Sequence, residues 1–191
     1  MANWVRVFSS LLCAGTLSLL ARPASASEPV TAGALQFGVG FRYGFELEEG
    51  DIVSPWGTGI GLELGYTLPS AVYFGAQFEY FFGEEEEILG TNVEANLWQL
   101  TAEAGYDLAV APVFVIRPKL GVGMANSTVE VCANAAGCSD EGSGVGFALA
   151  PGAKFMFLTE NFGLSADLRY AVVFDDADTP DALILSIGIG F

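Results

Sequence analysis

The chain runs to 191 residues, of which 52% are apolar and 13% aromatic, with 23 acidic residues against seven basic ones and no histidine. A net charge of −16 repels nucleic-acid phosphates and excludes nucleic acid as a partner. So high an apolar and aromatic content excludes a disordered acidic tail.

The first residues read as an export signal. Arg6 precedes an apolar run from Val7 to Leu20 that is too short to span a bilayer as a helix. Arg22 and Pro23 break the run, and Ala24-Ser25-Ala26 supplies the small residues of a cleavage site. The expected organisation is a signal peptide over residues 1–26 and one domain over 27–191. Cys13 does not read as a lipidation site, because Leu12 stands where that signal needs a small residue. Loss of the leader removes Arg6 and Arg22 and leaves five basic residues against 23 acidic ones. Export and the remaining pair, Cys132 and Cys138, fit an oxidising compartment.

From residue 33 onward the hydrophobic period is two, the signature of strands. Segment one sets Leu35, Phe37, Val39, Phe41, Tyr43, Phe45 and Leu47 against Gln36, Gly38, Gly40, Arg42, Gly44 and Glu46. Segment two sets Trp56, Ile60, Leu62, Leu64, Tyr66 and Leu68 against Gly57, Gly59, Gly61, Glu63 and Gly65. The alternation continues through segments centred on Phe78, Ala102, Leu120, Ala153 and Leu168, and ends with Leu183, Leu185, Ile187, Ile189 and Phe191. Eight segments of this length suit tilted strands crossing a membrane, and an even count suits a closed bacterial barrel. Pro69-Ser70, Ala109 to Pro112 and Thr159 to Asn161 read as tight turns. Residues 48–55, 83–94, 125–143 and 175–182 read as longer polar loops. Short connections at one end and long ones at the other are the outer-membrane pattern.

Period two does not say which face meets water. The second face is dominated by Gly and Ala, as a narrow eight-stranded interior requires, rather than by the Thr, Lys and Glu of a solvated sheet. The apolar face is also sorted by depth. Tyr43, Phe45, Trp56, Tyr80, Phe82, Trp98, Phe147, Tyr170 and Phe174 fall near the loops. Tyr66, Phe74, Tyr106, Phe114, Phe155, Phe157, Phe162 and Phe191 fall near the turns, with Val, Ile, Leu and Ala between. Two aromatic girdles flanking an aliphatic band mark a lipid-facing surface.

All five basic residues of the mature chain, Arg42, Arg117, Lys119, Lys154 and Arg169, fall on the inward parity with Glu46, Glu63, Glu79, Glu103, Asp107 and Asp167. Buried charges must be paired. Register counted from the turns puts Glu103 opposite Arg117 or Lys119, Lys154 near Asp167, and Arg42 diagonal to Glu63. These eleven residues form the candidate lumen network, read either as a neutralising plug or as a gated ion path. Pro118 and Pro151 each remove a ladder donor in mid-strand, and a local bulge or kink is expected there.

The acidic excess collects in the loops: Glu48, Glu49 and Asp51, then Glu84 to Glu87 and Glu94, then Glu130, Asp140 and Glu141, then Asp175, Asp176, Asp178 and Asp181. No loop carries a basic residue, so contact with lipopolysaccharide phosphates would need bridging divalent cations. The run Asp175-Asp176-Ala177-Asp178-Thr179-Pro180-Asp181 holds clustered carboxylates but lacks the central Gly and distal Glu of a calcium loop, so no metal site is assigned. Cys132 and Cys138 are expected to close a small ring at the tip of the third loop, worth roughly 2 kcal/mol.

The leader, the eight girdled strands and Phe191 together resemble the small outer-membrane β-barrel family, which includes the OmpX/Ail type and the barrel domain of OmpA. The run Arg117-Pro118-Lys119-Leu120-Gly121-Val122-Gly123 looks like a strand motif of the porin-like branch. Leu185, Ile187, Ile189 and Phe191 look like the signal read by the barrel-assembly machinery. The resemblance implies an all-β, eight-stranded antiparallel up-and-down transmembrane barrel in the bacterial outer membrane. It implies contact with outer-membrane lipid and lipopolysaccharide, a monomeric state, and no cofactor. Barrel enzymes of that membrane rely on a histidine that this chain lacks, so no catalysis is expected. The expected function is structural or surface-interacting through the acidic loops, with a narrow cation-preferring pore as the alternative.

Overall fold

A computed structural model describes residues 31–47, 54–88, 91–133, 137–159, 161–175 and 179–190. The expected leader, Phe191, and the loop residues Glu48, Glu49, Asp51, Asp176 and Asp178 lie outside the described residues.

Nine strands follow one another: β1 (Leu35–Glu46), β2 (Thr58–Thr67), β3 (Val72–Ile88), β4 (Thr91–Tyr106), β5 (Leu108–Ala111), β6 (Phe114–Ala133), β7 (Gly137–Leu158), β8 (Gly163–Phe174) and β9 (Ala182–Gly190). Each pairs antiparallel with its neighbour in the chain, except that β4 and β5 both pair with β6. Together β4 and β5 make the fourth stave. β9 closes on β1, from Gly38 opposite Gly190 to Glu46 opposite Ala182. The result is a closed eight-stranded antiparallel barrel. Closure leaves no sheet edge along the wall, the condition for strands to cross lipid.

The break between β4 and β5 has a chemical cause. Gly105 faces Lys119 and Leu108 faces Ile116, so the register carries through unshifted, yet the rungs at Tyr106 and Asp107 are missing. They lie opposite Arg117 and Pro118, and proline has no N–H to give. Pro151 acts likewise on β8: Leu149 faces Val172 and Gly152 faces Arg169, with Ala150 and Pro151 unpaired to β8 between them. The expected bulge at these prolines is therefore replaced by missing rungs in continuous register.

Apart from one at the β5–β6 turn, between Ala109 and Ala111, the register shifts lie between Phe82 and Glu85 on β3 and opposite Thr128–Glu130 on β7. They mark the second correction. Residues 83–88, 91–94, 125–133 and 137–143 are strand rather than loop: β3 and β4 pair on to Ile88–Thr91, and β6 and β7 pair on to Ala133–Gly137. β4 and β6 also stay paired, with Thr91 opposite Ala133. Four strands thus extend past the other four, because neighbouring hairpins satisfy each other's backbone groups without needing apolar side chains.

The faces divide as the alternation requires. Phe41, Ile60, Phe74, Phe147, Leu164 and Ile187 are exposed on the outside, while their sequence neighbours point inward. A soluble sandwich would bury these apolar side chains; here they form the outer wall. The short connections are tight. Ala71, at φ 67°, donates its N–H to Leu68 O at 2.9 Å, and Thr159 N–H reaches Phe162 O at 2.9 Å.

Candidate functional site

The interior is layered, and the lower layer is ionic. Ten charged side chains cross the lumen, five acidic and five basic: Glu63, Glu79, Glu103, Asp107 and Asp167 with Arg42, Arg117, Lys119, Lys154 and Arg169. All are buried. They form two neutral sets. In the first, Glu79 accepts from Arg42 Nε at 2.6 Å and from Arg169 Nη2, and also from Gln99 Nε2 and, at 2.9 Å, Gln77 Nε2. Arg169 continues to Asp167 at 3.3 Å, Asp167 to Lys119 at 2.6 Å, and Lys119 to Glu103 at 3.0 Å. In the second set Lys154 meets Glu63 at 2.5 Å, and Arg117 lies 3.7 Å from Glu63 and 2.5 Å from Asp107. Glu46, the eleventh candidate, stands apart: half-buried at the loop end of β1, opposite Ala182.

Some pairings differ from those counted along the strands. Lys154 is opposite Asp167 in register, yet its ammonium reaches across to Glu63 on the far wall. Arg42 stands opposite Gly59, four residues from Glu63, and bonds Glu79 of β3 instead. Glu103 faces Gly121 and reaches Lys119 diagonally. Long side chains in a narrow lumen choose partners across the void rather than along the ladder.

Glycines make this crossing possible. Gly40 and Gly61 face each other, and a Cβ on either would lie within 2.8 Å of the Arg42 guanidinium. Gly75, facing Gly65, likewise leaves room for the Tyr73 ring, whose Cζ would lie 2.6 Å from a Cβ there. Tyr73 donates to Glu63 at 3.0 Å, and the Arg117 guanidinium sits 3.6 Å above its ring centre.

Residues at and just before the start of β1 cross the floor. Thr31 donates to Asp107 at 2.6 Å, and Gly33 N–H reaches Thr67 O at 2.8 Å. Thr67 also donates to Asp107, at 3.1 Å, and Gln36 accepts from Arg117 at 2.9 Å. A cavity of about 240 Å³ opens at this end beside Thr31, Gln36, Met156 and Ser165, and one of about 10 Å³ lies between Ser165, Asp167, Ser186 and Gly188. Parity along β2, β3 and β4 would have flagged Thr67, Tyr73, Gln77 and Gln99 as lumen residues.

The upper layer is apolar, and the sequence did not announce it. Trp56, Phe81, Leu97, Val173 and Ile184 pack with Ala125, Ala148, Ala171 and Ala182 inside the barrel. Trp56 corrects the expected girdle: it is 1% exposed and points into the lumen. Gly57, at φ 149°, turns the chain just before β2, so the parity that runs from Ile60 to Tyr66 does not extend back to Trp56. Gly44 leaves the space, since a Cβ there would meet Trp56 at 3.0 Å. The indole packs edge-on against Phe81, centroids 5.1 Å apart, and its Nε1 donates to Pro180 O at 2.8 Å.

Of the four loop aspartates, Asp175 and Asp181 are described, and both are engaged. Asp175 accepts from Thr179 N–H at 3.0 Å and from its hydroxyl at 2.6 Å; Asp181 accepts from Tyr170. Among the described residues no group of three or more His, Cys, Asp or Glu is placed to hold a metal ion. Cys132 and Cys138 lie opposite each other across the β6–β7 hairpin. Leu185 and Ile187 point outward and exposed, and Ile189 is half-exposed.

Comparison with known proteins agrees with this geometry. The sequence profile of the outer membrane protein beta-barrel domain matches residues 9–191. No curated protein matches at a significant level. Among solved structures, the attachment invasion locus protein Ail of Yersinia pestis superposes with a TM-score of 0.63 at 15% identity, over 83% of this chain and 97% of that one. Ail with the heparin analogue sucrose octasulfate gives 0.59 at 16%, over 83% and 97%. Neisserial surface protein A gives 0.53 at 18% identity, over 82% and 94%. At such identities the likeness is one of fold.

Proposed function

The chain belongs to the family of outer membrane protein beta-barrel domains, a family of the bacterial outer membrane, and from that premise we propose that it is a closed surface barrel. It strengthens the membrane as a structural element and engages cationic or cation-bridged partners through its acidic rim. One observation carries the reading: the lumen network takes up all five basic residues outside the leader. Of 23 acidic residues, five balance them, which leaves eighteen with no base in the mature chain. An ion-paired lumen capped by an apolar layer favours a plug over a channel, and a rim of one sign steers oppositely charged partners.

The heparin analogue bound to Ail is a polyanion, and this rim would repel one. Lipopolysaccharide phosphates would be held through divalent cations. In our reading residues 1–26 are cleaved, Leu185, Ile187, Ile189 and Phe191 are read by the barrel-assembly machinery, Cys132 and Cys138 are disulfide-bonded, and the barrel is monomeric and non-catalytic.

Planar-bilayer recording of the refolded protein tests the plug against a narrow cation-preferring pore. Silence is expected. Reproducible steps that change on neutralising Glu103 or Arg117 would replace the plug with the pore. For the rim, immobilised protein should bind polylysine with an affinity that falls steeply between 50 and 200 mM salt, on the order of tenfold or more for several contacts, and should not bind heparin. Heparin capture in magnesium-free buffer would refute the rim's role.

A further inference from the structure

The segment between β8 and β9 does not simply arch over the mouth. Thr179, Pro180 and Asp181 are buried, although no ladder pairing begins until Ala182. They are held from three sides. Trp56 of the first connection donates its indole N–H to Pro180 O at 2.8 Å, and Leu47 at the end of β1 donates its N–H to Asp181 O at 3.0 Å. Thr179 Oγ1 lies 3.2 Å from Ser127 Oγ on β6, a stave separated from β9 by two others, and also donates to Asp175. These three residues therefore bridge the mouth from β6 to the end of β1 and sit on the apolar layer, with Trp56 beneath them.

We propose that Thr179–Asp181 is an extracellular latch, seated on Trp56 and clasped by Ser127, that controls access of the outside medium to the lumen. Trp56 apart, the layers below are borne on strands and locked by ion pairs and wall packing. The latch is held by a few hydrogen bonds from a connecting segment, so it is the part that can lift without opening the wall. When it lifts, Trp56 is the first lumen residue the medium meets.

Tryptophan quenching reads this directly. The chain has three tryptophans, Trp4, Trp56 and Trp98, so Trp4→Phe with Trp98→Phe leaves Trp56 as the sole reporter. In this parent, acrylamide quenching of Trp56 should be near the floor for a buried indole. Thr179→Val removes both hydroxyl bonds and should raise the quenching constant at least threefold while the barrel keeps its heat-dependent gel mobility. A folded Thr179→Val variant as protected as the parent overturns the proposal.

A second design does not depend on that variant. With Cys13, Cys132 and Cys138 changed to Ser, the pair Ser127→Cys and Thr179→Cys places two thiols where the hydroxyls now meet. Oxidation should hold Trp56 protected, and reduction should release it. Equal quenching in the two states would also overturn the latch.

Discussion

Glu79 carries more of the lumen than any other single carboxylate: two guanidiniums and two side-chain amides converge on it, and it is fully buried. Removing its charge leaves Arg42 without its only ion-pair partner among the described residues and Arg169 with Asp167 alone. Breaking one side of a buried pair costs about 3–5 kcal/mol, because the remaining charge stays desolvated. Glu79→Gln should therefore lower the unfolding free energy of the refolded barrel, read from its urea titration, by that amount, and a loss below about 1 kcal/mol would show that water reaches these groups. Trp56 is the apolar counterpart. Trp56→Ala empties the centre of the upper layer and orphans Pro180 O, and a cost of about 3–5 kcal/mol is expected from comparable truncations.

At the scale of elements, the prolines explain why a barrel of eight staves contains nine strands. Pro118 removes a donor where β4 would run on into β5, and the register on either side is unchanged. Pro118→Ala should supply the missing N–H and join the two strands. The new amide at position 118 should then be protected from hydrogen exchange in micelles as strongly as its neighbours. Stability should move by less than about 1 kcal/mol, since the added hydrogen bond is offset by the freer unfolded chain. A rapidly exchanging amide there would show that the gap has another cause. The extended hairpins carry register shifts just past the point where β2 and β8 stop pairing. With Glu84 to Glu87 on one outer strand and Asp140 and Glu141 on the other, charge and bulge together discourage edge-to-edge association.

At the scale of the whole molecule, charge is sorted along the barrel axis. Ten charges cancel inside, the wall is apolar, and most of the remaining carboxylates belong to the extended strands and the connections at one end. Large net charge of one sign keeps a molecule soluble and monomeric at that end and sets the sign of what approaches it. This is why the bilayer recording and the polylysine titration bear on function, whereas the strand substitutions bear on stability.

The chain's own alternation, with aromatics at both ends of the apolar face, was enough to determine the barrel, its eight staves and the face that meets lipid. A period of two places each residue inside or outside without reference to any other strand. Parity also sent every mature basic residue to the lumen. What tertiary structure decided was partnership. Lys154 chose Glu63 over its ladder neighbour Asp167, and Arg42 chose Glu79, because ends of long side chains meet across a lumen whose width and stagger no single strand encodes. The inward turn of Trp56 hung on one backbone angle at Gly57. The latch above it joins residues from β6, the end of β1 and the two connections at the mouth, separated by up to 134 positions, and only closure of the ring brings them together.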